Sequence, residues 1–257
     1  MDEKELKTST KQRIVIILIA ILMVGSIIAS YAAIVISGSQ GDTSQSDIDI
    51  DEAKVAALQG DYEAALNDYF AAYGNDYDQL IKYKSEVKAY NESSANDNGV
   101  QHRDLKSGSG AKVTKDNYLA YYIGFCADES VFDSSLDNFE NPTKLKGFID
   151  ISKQSLIEGW YTGMEGAKVG GVREITIPGN LAYGDSMEIC GGYNKPIKFI
   201  VMTVPREGKR AEMADEISDA LQKYQFYAQY GVDYDEVMKA NGGEAEAETE
   251  AGDDTEE

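Results

Sequence analysis

An uncharged apolar segment near the N-terminus restricts how this 257-residue chain can fold more than any other feature. Residues 14–36 form a run of 23 amino acids, IVIILIAILMVGSIIASYAAIVI, that contains no Asp, Glu, Lys or Arg. At about 1.5 Å of rise per residue, a helix of this length crosses the hydrocarbon core of a bilayer. The segment therefore predicts a transmembrane helix, and everything after it is expected to fold on one side of the membrane.

The charges around this segment predict its orientation. Basic residues precede it: Lys4, Lys7, Lys11 and Arg13. Acidic residues follow it, with no Lys or Arg before position 54: Asp42, Asp47, Asp49, Asp51 and Glu52. Because Lys and Arg favour the cytoplasmic side, residues 1–13 are expected in the cytoplasm and the flexible linker 37–50 outside it. A cleaved signal peptide is the alternative, since Ser30 and Ala32 are small residues where a signal peptidase acts. Both interpretations predict export.

The acidic balance argues against a nucleic-acid partner. The chain has 24 Lys and Arg against 45 Asp and Glu, a net charge of -21, whereas a nucleic-acid binder must neutralise phosphates with basic side chains. The charge is concentrated at the two ends, because residues 100–206 carry 12 basic and 13 acidic side chains. This nearly neutral middle region is therefore expected to be a separate domain.

The acidic flanks have the periodicity of helices. In the segment 51–99, apolar or aromatic residues recur every three or four positions at Val55, Leu58, Tyr62, Leu66, Tyr69 and Tyr73. A second helix is expected over 77–90, with a break over 91–98, and the segment 207–240 is again helical. The tail 241–257 has eight acidic residues and neither basic nor aromatic ones, so it is expected to be disordered.

A short repeat links the two flanks: YGNDYD at 73–78 resembles YGVDYD at 230–235. One interpretation is that the flanks pack together, or against a second copy of the chain, as a stalk or dimer element. The other is that two helices of a Tyr-rich, Asp-rich chain end alike by chance. A homodimer formed through the helical flanks is thus an open expectation.

Within residues 100–206 the pattern changes to that of strands. Three segments are short, aromatic and β-branched, and are bounded by Gly, Pro or Asn: 118–125, 172–177 and 197–204. Only one short helix is expected, with Ser155 as its N-cap and with Gly163 and Gly166 at its end. The fold class is α+β, an antiparallel sheet wrapped around one short helix and flanked by helical segments.

Four motifs in this region resemble those of the FKBP-type peptidyl-prolyl cis-trans isomerases. They are YIG at 122–124, FDSS at 132–135, LIEGW at 156–160 and VGGVREITIPGNLAYG at 169–184. Their order and spacing are nearly those of the family, and residues 197–199 resemble its last strand. The resemblance covers about 100–204. It implies an FKBP-like fold, proline-containing polypeptides as substrates, and no metal or cofactor.

The resemblance also implies which residues form the proline pocket. An aromatic cup would be made by Tyr122, Phe132, Trp160 and Phe199. The further catalytic groups would be Asp133 as the pocket carboxylate, Tyr183 as a hydroxyl donor, and Ile157, whose backbone N–H meets a substrate carbonyl. Substrate-binding positions would be Leu156, Phe148 and Ile189. The alternatives are that the aromatic residues are ordinary core residues and that Asp133 caps a turn.

The chain departs from the family pattern at three places. The family often has a basic residue a few positions after the FDSS motif that pairs with the pocket carboxylate, but here residues 136–140 are LDNFE. Strict spacing places a further cup aromatic at Gly147, which makes Phe148 the nearest candidate. The pocket loop has ICGGY at 189–193 where the family often has an Ile-Pro-Pro element. These differences concern substrate preference more than the basic activity.

The two cysteines, Cys126 and Cys190, are the only ones in the chain. Outside the cytoplasm two thiols tend to oxidise, so a disulfide that pins the pocket loop is expected, with two free thiols as the alternative. They are too far apart in sequence, and lack the companions, for a zinc site. The single histidine, His102, lies in a polar stretch, which argues against a hydrolase with a positioned base.

The reaction needs few polar groups. An X-Pro bond isomerises over a barrier of about 18–20 kcal/mol because twisting the amide destroys its resonance. An apolar pocket poor in water disfavours the planar ground state relative to the twisted transition state. We therefore predict an anchored prolyl isomerase that assists the folding of exported proteins. The alternative is a proline-binding chaperone or scaffold module with little turnover.

Overall fold

The computed structural model describes the backbone of residues 50–247 and the side chains of residues 50–240. The predicted cytoplasmic segment 1–13, the transmembrane helix 14–36 and all but the last residue of the linker 37–50 lie outside the described residues. Within the described part of the chain, no helix is both long enough and apolar enough to span a bilayer.

Within residues 50–247, helices and strands alternate only in the middle region. In order they are α1 (Glu52–Tyr73), α2 (Asp76–Ile81), α3 (Glu92–Asp97), β1 (Gln101–Lys106), β2 (Tyr118–Phe125), β3 (Val131–Ser134), β4 (Ile149–Asp150), α4 (Glu158–Met164), β5 (Val172–Ile177), β6 (Ile197–Pro205), α5 (Gly208–Tyr230) and α6 (Tyr234–Ala247). Two 3₁₀ turns add to them, Lys84–Glu86 and Gly179–Leu181.

The described chain divides into two compact units, one of residues 64–216 and one of residues 50–63 with 217–247. The larger unit contains the predicted domain 100–206 and extends beyond it at both ends. Its sheet has the strand order β1-β5-β6-β2-β3, with β4 paired to β2. Every pairing is antiparallel. The expected α+β fold, an antiparallel sheet packed on one short helix, is confirmed.

The pairing register of the two central strands determines where the side chains of the pocket lie. β2 and β6 pair along their whole length, from Tyr118 opposite Pro205 to Phe125 opposite Lys198. Because side chains alternate between the faces of a sheet, Tyr118, Ala120 and Tyr122 share one face. That face packs against α4 in one buried cluster.

Helix α4 lies close to β5 because two glycines face the strand. A Cβ on Gly159 would lie 2.1 Å from Cγ2 of Ile177, and one on Gly163 would lie 2.9 Å from Cγ2 of Ile175. Glycine is a poor helix former, so this seven-residue helix depends on its packing. The helix ends at Met164, and Gly166 follows with a φ of +74°, as expected for a residue that terminates a helix.

The opposite face of the sheet is covered by residues from the segments on either side of the predicted domain. Tyr69 of α1 is fully buried, and its hydroxyl lies 2.9 Å from that of Tyr121 on β2. Arg210 of α5 forms an ion pair with Asp76 at 2.9 Å and lies 4.0 Å from the ring centroid of Tyr73. Within residues 64–216 the helical flanks therefore contribute to the same core as the sheet.

The helical flanks differ in detail from the periodicity-based expectations. The helix predicted over 77–90 is shorter than expected: α2 ends at Ile81, and after a 3₁₀ turn residues 87–91 lie in no helix or strand. The predicted break over 91–98 instead contains α3, because the Asn91 side chain accepts the N–H of Ser94 and caps it. Short capping signals of this kind are hidden inside a polar stretch.

The smaller unit is held by aromatic contacts and by ion pairs. Phe226 packs against Tyr230 and Tyr234 at centroid distances of 4.9 and 5.4 Å. Lys54 Nζ lies 2.9 Å from Asp233 Oδ2 and 4.7 Å from a tyrosine ring at position 227. Helix α6 extends to Ala247, so the first seven residues of the tail 241–257 are helical rather than disordered, and the rest lies outside the described residues.

Candidate active site

Four aromatic rings converge on the face of the sheet that packs against α4. Phe199 of β6 lies at their centre, with its ring centroid 5.4 Å from that of Trp160, 5.6 Å from Phe132 and 5.9 Å from Tyr122. Tyr122 and Trp160 are 6.1 Å apart. All four contacts are edge-to-face, with interplanar angles between 67° and 85°, a favourable geometry for aromatic pairs. The structure thus brings together the whole predicted cup.

Strand register and one glycine determine how closely two of these rings approach. Gly124 on β2 pairs with Phe199 on one side and with Asp133 on the other. A Cβ at position 124 would lie 2.7 Å from Cζ of Phe132 and 2.9 Å from Cε1 of Phe199. These distances are too short for real contacts, so only glycine leaves room for both rings. The glycine of the YIG motif therefore has a structural role in the cup.

Trp160 forms the floor of the cup and is oriented by a tyrosine. Its side chain is 2% exposed, and its indole N–H donates to the hydroxyl of Tyr118 at 3.4 Å. A buried indole normally needs such a partner, because an unsatisfied N–H is costly. Tyr118 lies on the same face of β2 as Tyr122. Tyr118 is not among the site residues predicted from the sequence, and nothing in its position within β2 distinguishes it from a core tyrosine.

Asp133 is held by two hydrogen bonds rather than by a basic partner. Its Oδ2 accepts the hydroxyl of Tyr122 at 2.5 Å, and its Oδ1 accepts the N–H of Ser134 at 2.8 Å. The second bond is the one expected if Asp133 caps a turn. The same carboxylate therefore contacts the pocket through Tyr122 and caps the turn through Ser134. No ion pair involves this carboxylate among the residues that the structure describes.

Burial keeps the two pocket phenols neutral. Desolvation raises the pKa of Tyr122 well above its usual value, and the neighbouring Asp133 carboxylate raises it further. Desolvation, followed by the charge of Asp133, raises the pKa of Tyr183 to about 12. Within the described part of the chain, the Tyr183 hydroxyl has no hydrogen-bond partner. It is therefore available to donate to a carbonyl of a bound peptide.

The rim of the cup is formed at the start of α4. Leu156 and Ile157 are half-buried and pack on the aromatic cluster. Ser155 is not the N-cap: that position is occupied by Ile157, whose φ and ψ are -59° and 145°, and no side chain caps the helix. The prediction of Ser155 as the N-cap, based on a polar residue near the helix start, is therefore wrong. Among described residues, the backbone N–H of Ile157 has no hydrogen-bond acceptor, which leaves it available to a ligand.

Phe148 is not part of the cup, which corrects its prediction as a substrate-binding residue. Its ring packs on Tyr69 of α1, with the centroids 4.7 Å apart. The sequence spacing had already placed the family's aromatic one residue earlier, at Gly147. Helix α1 supplies the phenylalanine with a packing partner that only the tertiary structure could reveal.

The pocket loop is fixed by the disulfide. Cys126, directly after β2, bonds to Cys190, so the disulfide rather than the free-thiol alternative is observed. Ile189 and Cys190 pack against the aromatic cluster, and Ile189 exchanges backbone hydrogen bonds with Gly192 at 2.9 and 3.1 Å. Ile189 therefore borders the cup. A φ of +53° at Cys190 shows that the loop turns sharply there.

This arrangement suits an apolar ring flanked by a planar polar group. The aromatic walls exclude water, and the unbonded donors at Tyr183 and Ile157 can satisfy carbonyl oxygens on either side of the ring. Such a site lowers the barrier to amide rotation without forming or breaking a bond.

Comparisons with known proteins agree with this geometry. The model of the family described as FKBP-type peptidyl-prolyl cis-trans isomerase matches residues 108–204. An "FK506-binding protein" of Neisseria meningitidis serogroup B is 34% identical over 87 residues, which are 34% of this chain and 75% of that protein. The "FK506-binding protein 4" of Dictyostelium discoideum is 38% identical over 89 residues, but the match covers 34% of this chain and only 22% of that protein.

A solved structure, a peptidyl-prolyl cis-trans isomerase of Pseudomonas syringae pv. tomato, is 20% identical and covers 55% of this chain and 92% of its own, with a TM-score of 0.33. The Neisseria relative is matched over three quarters of its length, and the family model spans the residues that form the cup. On that match and the family model, this chain belongs to the FKBP-type peptidyl-prolyl cis-trans isomerases.

Proposed function

We propose that this protein catalyses cis–trans isomerisation of X-Pro bonds in polypeptides. The observation that carries the proposal is the cup of four rings centred on Phe199, bordered by the Tyr183 hydroxyl and the Ile157 N–H. A pyrrolidine ring enters the cup, and the carbonyls on its two sides meet these donors. Since the twisted amide is less polar than the planar one, removing water favours the transition state.

Asp133 and Tyr122 form one polar wall of the cup. Their hydrogen bond keeps the carboxylate fixed beside the position of the twisting amide. As the amide nitrogen becomes pyramidal it acquires a lone pair, and a fixed negative group nearby interacts with the changed dipole. The wall thus acts by preorganised electrostatics, which costs no reorganisation during the reaction.

Turnover of an X-Pro peptide by the full-length chain in mild detergent tests this proposal. Exchange between cis and trans peptide is measured by NMR, which avoids a coupling protease. The wild type should accelerate exchange well beyond the uncatalysed rate, which takes tens to hundreds of seconds. Phe199→Tyr, which places a hydroxyl in a side chain that is 4% exposed, and Asp133→Val should each lower kcat/KM about tenfold or more.

Phe148→Tyr is the matched control for these variants. It adds the same hydroxyl to another phenylalanine of the same unit, one that packs on Tyr69 outside the cup. Its rate should equal that of the wild type, and circular dichroism should show all variants folded. A wild type that does not accelerate exchange would overturn the proposal. Native folding with unchanged rates in Phe199→Tyr and Asp133→Val would overturn the assignment of the cup.

The proposed setting is the outer side of a membrane, where the enzyme assists the folding of exported proteins. The uncharged segment 14–36 and the basic residues before it support an N-terminal anchor. The Cys126–Cys190 disulfide supports the same setting, because disulfides persist in oxidising compartments. Tyr193 is exposed, so a Tyr193→Cys variant adds one accessible thiol. A thiol reagent that does not cross membranes should label this cysteine in intact cells as fully as after lysis.

A proline-binding module with little turnover is the second candidate. It is favoured by the ICGGY sequence of the pocket loop and by the absence of an ion pair to Asp133 within the described chain. In that case a proline peptide binds to the full-length chain but is not turned over. FK506, which the names of the relatives give as their ligand, should displace the peptide under either candidate.

A second copy of the chain is a further proposed partner, through the helical flanks. Val232 and Met238 are 46% and 51% exposed large apolar side chains in the smaller unit. Light scattering on the full-length protein, compared with a Val232→Ser/Met238→Ser variant, should show loss of the dimer in the variant.

A further inference from the structure

We propose that Tyr161 is a positioning residue of the isomerase site, which holds the rim of the cup through its hydroxyl. The inference rests on the proposed function, because it concerns the same pocket. Tyr161 follows the floor residue Trp160 in α4, so floor and rim belong to one short element. It has no counterpart among the predicted site residues.

The rim has almost no backbone support of its own. Between the turn that ends at Lys153 and the start of α4, residues 154–157 lie in no helix, strand or turn. Within the described chain, the N–H groups of residues 154, 155 and 157 make no hydrogen bond. The N–H of Leu156 is the exception, and it donates to the Tyr161 hydroxyl at 3.0 Å. Among the N–H groups of the rim, only that of Leu156 is therefore restrained by a hydrogen bond within the described residues.

Packing alone does not replace this hydrogen bond. Apolar contacts keep the side chains of Leu156 and Ile157 on the aromatic cluster, but such contacts are not directional. The direction of the next N–H, that of Ile157, depends on the plane of the peptide that precedes it. A hydrogen bond to Leu156 N restrains that part of the backbone, and small misplacements of a binding group are costly in enzymes.

The ring of Tyr161 contributes little to the core. The residue is 42% exposed and lies on the outer side of α4, away from the glycines that face β5. Removing the hydroxyl therefore removes the hydrogen bond to Leu156 without creating a cavity. This separates a positioning role from a structural one, since loss of stability is expected to be small.

The test compares Tyr161→Phe with the wild type in the full-length chain. The N–H of Ile157 binds the planar and the twisted amide alike, so its misplacement should raise KM about three- to tenfold and change kcat less than twofold. Partial unfolding would instead lower the apparent kcat at an unchanged KM. Hydrogen exchange gives a second readout, because the Leu156 amide should lose its protection in the variant.

Tyr83→Phe is the matched control. Among described residues the Tyr83 hydroxyl makes no hydrogen bond, so this variant should keep the wild-type KM and the wild-type Leu156 exchange. An unchanged KM in Tyr161→Phe, with an active wild type, would overturn the inference and leave the proposed function intact. If the wild type binds a proline peptide without turnover, the peptide Kd replaces KM with the same expected change. A wild type that neither binds nor turns over the peptide would overturn both.

Discussion

Reduction of the Cys126–Cys190 disulfide should destabilise the larger unit measurably. The bond joins residues 64 positions apart. In the chain-entropy model, closing a loop of that length lowers the entropy of the unfolded chain enough to stabilise the fold by about 4 kcal/mol. With a urea m-value of about 2 kcal/mol/M, the unfolding midpoint should fall by about 2 M.

Trp160 is a built-in probe for this experiment, because it is the only tryptophan in the chain and is buried in the cup. Its fluorescence during urea titration follows the isomerase fold. The oxidised wild type, the reduced wild type and Cys126→Ser/Cys190→Ser are compared. The reduced protein and the double variant should share the lower midpoint.

Other outcomes of this experiment would contradict the predicted role of the disulfide. If the oxidised and reduced midpoints coincide, the bond does not constrain the unfolded chain as calculated. If both thiols are alkylated without reductant, as shown by mass spectrometry, the bond is not present in the isolated protein. A reduced protein that keeps its midpoint but loses turnover would assign the disulfide to the pocket loop rather than to the fold.

Three further predictions test the cup and its supports. Gly124→Ala should push apart the rings at 132 and 199, costing about 1–3 kcal/mol in thermal stability and at least tenfold in kcat/KM. Because the folded pKa of Tyr183 is raised to about 12, its contribution to stability is complete below about pH 10 and is lost as the pH rises towards 12. Tyr183→Phe should therefore flatten the decline of the unfolding free energy over that interval, by about 1.4 kcal/mol per pH unit. Arg210→Met should destabilise by about 3 kcal/mol in urea titration, because it leaves the carboxylate of Asp76 buried and unpaired; the Asp76→Asn/Arg210→Met double variant should recover part of the loss.

The central strands were predictable because their pattern is local. Segments 118–125 and 172–177 match β2 and β5 as the structure has them, and 197–204 falls one residue short of β6. Aromatic and β-branched runs between Gly, Pro and Asn define a buried strand whatever covers it. In contrast, β1 is a charged edge strand, QHRDLK, with almost every side chain exposed, so it carries no apolar signal.

The helical flanks show the limit of periodicity. Their spacing predicted amphipathic helices, and α1 and α5 are present, but the partner of each apolar face was not readable. The hydroxyl of Tyr69 forms a hydrogen bond with that of Tyr121, on the face of the sheet opposite the cup. A fragment that begins at residue 97, near the boundary that the sequence indicates, would therefore leave Tyr121 without its cover.

The sequence by itself determined the fold class, the strands of the core and the members of the aromatic cup, because ordered motifs and alternating apolar residues record which side chains must be buried together. Only the tertiary structure decided which partners these elements contact: Tyr118 at the indole, Tyr161 at the rim and, outside the cup, α1 at Phe148. Such contacts join residues through a single hydroxyl or ring, and a single long-range contact leaves no periodic trace in the chain. The physical reason is that buried side chains recur at regular intervals along a helix or strand. The contact that orients a side chain, in contrast, comes from a single residue that the fold brings close.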